Sequence, residues 1–148
     1  MKNLILITIL MMSGTLFASV DDLLGSYVAK GDTEGAEVAK ITKVLVAQAT
    51  LFEPAKYEYR LNLEGKLDGI YFEDEELTVG EDGKSLVIDT DMECDDPGCN
   101  YFDNITVTIK KSRRGFPYIV VEYEGWHLEG DEDGEYELSG SEVFYKRN

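Results

Sequence analysis

Two cysteines, one histidine and several dense runs of acid are the residues whose type and spacing suggest chemistry. Cys94 and Cys99 enclose the tetrapeptide Asp95-Asp96-Pro97-Gly98. Pro-Gly is a strong turn signal, so the chain is predisposed to bring the two sulfurs together. This spacing predicts a disulfide, which by loop entropy is worth about 2 kcal/mol for so short a loop. A redox pair would prefer two intervening residues and a basic flank. The acidic flanks here raise a thiol's pKa, so the pair reads as structural.

His127 follows Gly125-Trp126 and has no motif of the Gly-x-Ser-x-Gly kind to serve. One histidine and two paired cysteines cannot furnish an ordinary zinc site. The acids Asp89, Asp91, Glu93, Asp95 and Asp96 offer hard oxygen ligands of the kind calcium takes. They miss the EF-hand pattern, because Cys94 stands where the glycine belongs and Asn100 where the closing glutamate belongs. The acidic turn Asp131-Glu132-Asp133-Gly134-Glu135 misses it as well. No pair of carboxylates is singled out for glycoside hydrolysis. The expectation is therefore a non-enzymatic protein with no cofactor and no metal.

Charge narrows the partners. The 148-residue chain carries 30 acidic and 14 basic residues, a net charge of −16. Such a field repels nucleic acid and anionic membrane surfaces. The one basic island, Lys110-Lys111-Ser112-Arg113-Arg114-Gly115, falls between two strong apolar runs and reads as a solvated hairpin tip. Asn104-Ile105-Thr106 is a glycosylation sequon, meaningful only in a eukaryotic secretory pathway.

The first eighteen residues give an address. Lys2 precedes an apolar stretch from Leu4 to Met12, and small polar residues lead to Ala18. That order predicts a signal peptide over residues 1–18, cleaved after Ala18, with a single domain over residues 19–148. The run is shorter than the roughly 20 residues a membrane helix needs. The mature chain is one charge more negative and is expected outside the cytoplasm, in the periplasm or beyond the cell, with no stable membrane insertion. An exported chain also meets an oxidising compartment, consistent with a disulfide.

The elements that must position these residues alternate in twos. Tyr57, Tyr59, Leu61 and Leu63 share one strand face; Leu86, Ile88 and Thr90 share another. Ile105, Val107 and Ile109 follow the same rule, as do Ile119, Val121 and Tyr123. Shorter strands are expected over 26–30, 66–72, 76–79, 136–138 and 143–147. Gly-containing turns punctuate them at Gly65, Gly69, Gly83, Gly115 and Gly134. Residues 37–49 fit helical spacing too, but their β-branched content favours a strand, with room for a bulge. Sequential hairpins with short links predict an all-β antiparallel up-and-down meander of about 8–10 strands, closed into a barrel so that no edge is left over.

Leu23-Leu24-Gly25-Ser26-Tyr27 at the start and Phe144-Tyr145-Lys146-Arg147 at the end resemble the bookends of the lipocalin-like (calycin) barrels. In that family a Gly-x-Trp opens the first strand and a basic residue of the last strand packs over the Trp. The resemblance implies that Tyr27 replaces the Trp, with Arg147 or Lys146 as the cation. It also implies a calyx lined by Tyr57, Tyr59, Leu61, Ile88, Val107, Ile109, Val121, Tyr123 and Trp126, with a bulge at Gly125 switching the strand phase. The function that follows is binding of a small, partly apolar or amphipathic molecule inside the barrel. The alternative is a solid barrel that recognises another protein through the loop around Cys94 and Cys99.

Overall fold

A computed structural model describes residues 19–31, 38–66, 70–93, 99–128 and 135–147. The expected leader, residues 1–18, lies outside the described residues, as does Cys94 and with it the Cys94–Cys99 pairing.

The chain forms a 3-10 helical turn at Val20–Leu23 followed by eight antiparallel strands in meander order. These are β1 (Gly25–Ala29), β2 (Ala39–Ala47), β3 (Lys56–Glu64), β4 (Tyr71–Val79), β5 (Leu86–Met92), β6 (Asn100–Lys111), β7 (Pro117–Leu128) and β8 (Glu135–Lys146). Each strand pairs with its sequence neighbour, and β8 returns to β1 to close the barrel. The period-two pattern dictates this outcome, since apolar alternate residues need a shared interior and closure supplies one. The segment that also fitted helical spacing is strand over Ala39–Ala47, with Val46 as an extra residue between the pairs Leu45–Tyr57 and Ala47–Lys56.

Two pairs of short strands expected from the sequence are single strands. The acidic stretch of β4 looked like a break, but it is a bulge: Glu73 and Asp74 together oppose Asn62. Asp74 takes a left-handed φ of 53°, its N–H donates to Asn62 Oδ1 at 3.0 Å, and its carbonyl accepts from Arg60 at 3.1 Å. Two polar contacts from the neighbouring strand thus hold a conformation that β-branched residues avoid. Likewise Ser139-Gly140-Ser141 does not interrupt β8. Gly140 continues the ladder opposite Tyr123, whose ring fills the space a side chain would need.

The core is apolar: Leu23, Tyr27, Leu61, Leu86, Ile105, Val107, Ile109, Ile119, Val121 and Phe144 have no exposed surface. Charged side chains dominate the exterior, where Val44, Leu45, Val46 and Phe116 are also exposed.

The N-terminal turn plugs one end. Tyr27 Oη donates to Leu23 O at 2.5 Å, from inside the core. Asp21 is gripped by Lys43 of β2 at 2.9 Å and by the Tyr59 hydroxyl of β3 at 2.7 Å. Asp22 is gripped by Lys111 of β6 at 2.5 Å, and its carbonyl accepts from Lys146 of β8 at 2.9 Å. Four strands from different parts of the ring therefore hold one turn.

Candidate functional site

The residues expected to line a calyx fall into three groups. Leu61, Val107, Ile109 and Val121 point to the barrel axis with no accessible surface, and Ile88 is 8% exposed. A residue beside a water-sized void would show accessible area, so the first four fill the interior and line no space. Tyr57 and Tyr59 belong to the plugged end. Lys43 Nζ lies 4.9 Å from the Tyr57 ring centroid and 5.5 Å from that of Tyr59, a cation shared between two faces. Tyr57 is half-exposed, because β2 and β3 run past the end of the barrel as a two-stranded arm.

Trp126 corrects the expected phase. Strand β7 pairs with β8 without a shift from Tyr118 to Leu128, so Ile119, Val121, Tyr123 and Gly125 face inward and Trp126 faces out. The bulge lies on the neighbouring strand, where Asp103 is extra between the pairs Phe102–Gly125 and Asn104–Glu124. Gly125 is needed there, since a Cβ would stand 2.1 Å from Tyr101 O and 2.7 Å from Phe102 Cα.

At the barrel's closure the structure places Tyr27 opposite Lys146, not Arg147. Facing residues share a sheet face, so Lys146 reaches the plug while Arg147 lies one residue out of phase and bonds Ser26 O through its N–H. The basic island divides in the same way. Lys111 pairs with Asp22, Lys110 Nζ sits 5.8 Å over the Tyr118 ring, and Arg113 and Arg114 occupy the exposed turn.

Polar groups collect toward the far end of the barrel. Glu142 faces inward on β8, opposite Val121, and accepts the Lys66 N–H at 2.9 and 3.1 Å. Burial and then the Glu142 charge push the Tyr123 phenol above its ordinary pKa. His127 Nδ1 lies 2.6 Å from Asn100 Oδ1, and its ring stacks on Tyr136 with centroids 4.8 Å apart. An amide oxygen only accepts, so Nδ1 is the donor. Among the described residues, the histidine is held by an amide and a ring.

Two surface features were not anticipated. On the outer face of β6, β7 and β8, Asn104, Thr106, Glu122, Glu124, Ser139 and Ser141 line an open groove of about 550 Å³. Thr106 Oγ1 and Asn104 Oδ1, the two ends of the sequon, are 3.1 Å apart. The second feature is a seam. Strands β4 and β5 pair only at Thr78–Val87 and Val79–Leu86, whereas every other long pair in the ring runs much further. The Thr78 hydroxyl donates to Val87 O at 3.0 Å, ending the ladder with a side chain. Beyond it the facing stretches 71–77 and 88–92 are unpaired with each other. Alternation in sequence carries no signal for this, because each strand is well formed against its other neighbour.

No group of three or more histidine, cysteine or acidic residues suited to a metal occurs among the described residues. Comparison of the chain with protein-family models, curated proteins and solved structures found no match.

Proposed function

We propose that this chain is an exported, non-enzymatic interaction protein: a lipocalin-like barrel with a solid core that recognises another protein through its outer surface and loops. One observation carries the reading. Leu61, Val107, Ile109 and Val121, four of the side chains expected to surround a ligand, have no accessible surface. An eight-stranded barrel is just wide enough to be filled by its own side chains, and these four support that option. The strong negative field then acts as a steering device toward a cationic partner. The contacts of His127 support a structural role for it, and a Cys94–Cys99 disulfide would staple the loop between β5 and β6.

A second reading rests on the far end of the barrel. Tyr123, Glu142 and His127 are half-buried there, and a small amphipathic molecule would find both rings and hydrogen-bonding groups.

Native mass spectrometry separates the two. Protein recovered from its export compartment, then offered a lipid and metabolite extract, is expected to keep its apo mass. A reproducible extra mass that vanishes on denaturation would overturn the solid-barrel reading in favour of a ligand at the far end.

A further inference from the structure

We infer that the seam between β4 and β5 is a docking site for an extended basic segment of a partner protein, which adds a strand along the free edge of β5. The inference deepens the interaction reading above and rests on it.

A strand edge is a template for another strand, because its N–H and C=O groups already point outward at strand spacing. Strand β5 has such an edge over Ile88–Met92, since its other side is satisfied by β6 and its ladder to β4 ends at Val87. Strand β4 does not close onto it. The Glu73–Asp74 bulge, pinned by Asn62 and Arg60, interrupts β4 further along the seam, at the register position that would face Asp91. Charge opposes closure as well. Glu73, Glu75 and Glu76 stand on one side of the seam and Asp89 and Asp91 on the other, all exposed. Like charges facing across two strands destabilise their pairing.

Alternation along β5 specifies the guest. Ile88 and Thr90 face the interior with Val107 and Ile105, while Asp89 and Asp91 face solvent. A guest strand beside them presents apolar side chains inward and lysine or arginine outward in turn. Glu75 shares its sheet face with the buried Leu61 and is nevertheless exposed, as expected for an acid beside an open seam. The seam thus asks for strand geometry and positive charge together.

The test uses the mature chain and a peptide of alternating lysine and valine, about eight residues long, as an ordinary strand requires. The control has the same composition arranged as one lysine block and one valine block. Hydrogen exchange and amide chemical shifts locate the binding. The alternating peptide is expected to protect amides within 71–77 and 88–92 and to bind roughly tenfold more tightly than the block peptide. Asp89→Asn with Asp91→Asn is expected to remove that preference with no loss of thermal stability.

Equal binding of the two peptides, or shifts spread over the acidic surface, would overturn the inference in favour of plain charge attraction. Absence of protection would show that the acids only guard the edge against aggregation. Either failure, with the native mass still apo, leaves the interaction reading standing. A bound small molecule in the native mass would remove that reading independently.

Discussion

The hydroxyl of Tyr27, at the start of the barrel, donates to the carbonyl of Leu23 inside the turn that plugs it, with 2.5 Å between the oxygens. Both residues are fully buried. The first strand therefore carries its own plug, and burial pushes the Tyr27 phenol far above its ordinary pKa.

Tyr27→Phe removes the donor and strands a buried carbonyl. A lost hydrogen bond with one partner left unsatisfied costs about 1–3 kcal/mol. The variant is expected to fold and to lose that much stability in urea unfolding. An unchanged midpoint would mean that the plug is not held through this bond.

Gly125→Ala is expected to be worse. The added Cβ meets backbone atoms of Tyr101 and Phe102, which cannot rotate away as a side chain can. Overpacking of this kind costs typically about 1–3 kcal/mol or more. Gly115→Ala serves as the comparison, because its φ of +85° strains an alanine but nothing crowds the site. A smaller loss at Gly125 than at Gly115 would contradict the close approach of β6 to β7.

The plug's ion pair makes a two-sided pH prediction. Hydrogen bonds from Lys43 and then Tyr59 hold the Asp21 carboxyl below its ordinary 3.8. A lowered folded-state value adds stability that is complete above 3.8 and lost as pH falls through the folded value. The hydrogen bond to Asp21 raises Lys43 above 10.5, so its contribution is complete below 10.5 and lost as pH rises through the folded value. Lys43→Met should therefore raise the Asp21 titration, followed by carboxyl NMR, toward 3.8, with the Tyr59 hydrogen bond keeping it from returning fully. A wild-type midpoint already at 3.8 would show that the pair does not form in solution.

The cysteine spacing predicts that the mature protein gains two mass units on reduction. Reduction is expected to cost about 2 kcal/mol of stability by loop entropy. Accessible thiols in the unreduced, unfolded protein would refute the Cys94–Cys99 disulfide.

Much of the fold was legible because strand formation here is a local matter. The alternation at Leu61 and Leu63, at Ile105 to Ile109 and at Ile119 to Tyr123 assigns their inward face without reference to any partner. The misreadings share one cause. Glu73–Asp74 and Ser139–Gly140–Ser141 look like turns in isolation, and only the facing strand shows a bulge at the first and an unbroken ladder at the second. Trp126 was placed inward because Gly125 suggested a bulge on β7, when the extra residue belongs to β6.

By itself, then, the sequence determined an all-β meander with an apolar interior and a strongly acidic exterior, since side-chain period and charge are properties of the chain alone. Tertiary structure decided the rest. Whether inward residues enclose a space or fill it depends on how eight strands meet, and whether Lys146 or Arg147 stands opposite Tyr27 depends on register. How far β4 and β5 pair depends on how each strand is held by its other neighbour. These are relations between segments distant along the chain, and packing fixes them only once the ring has closed.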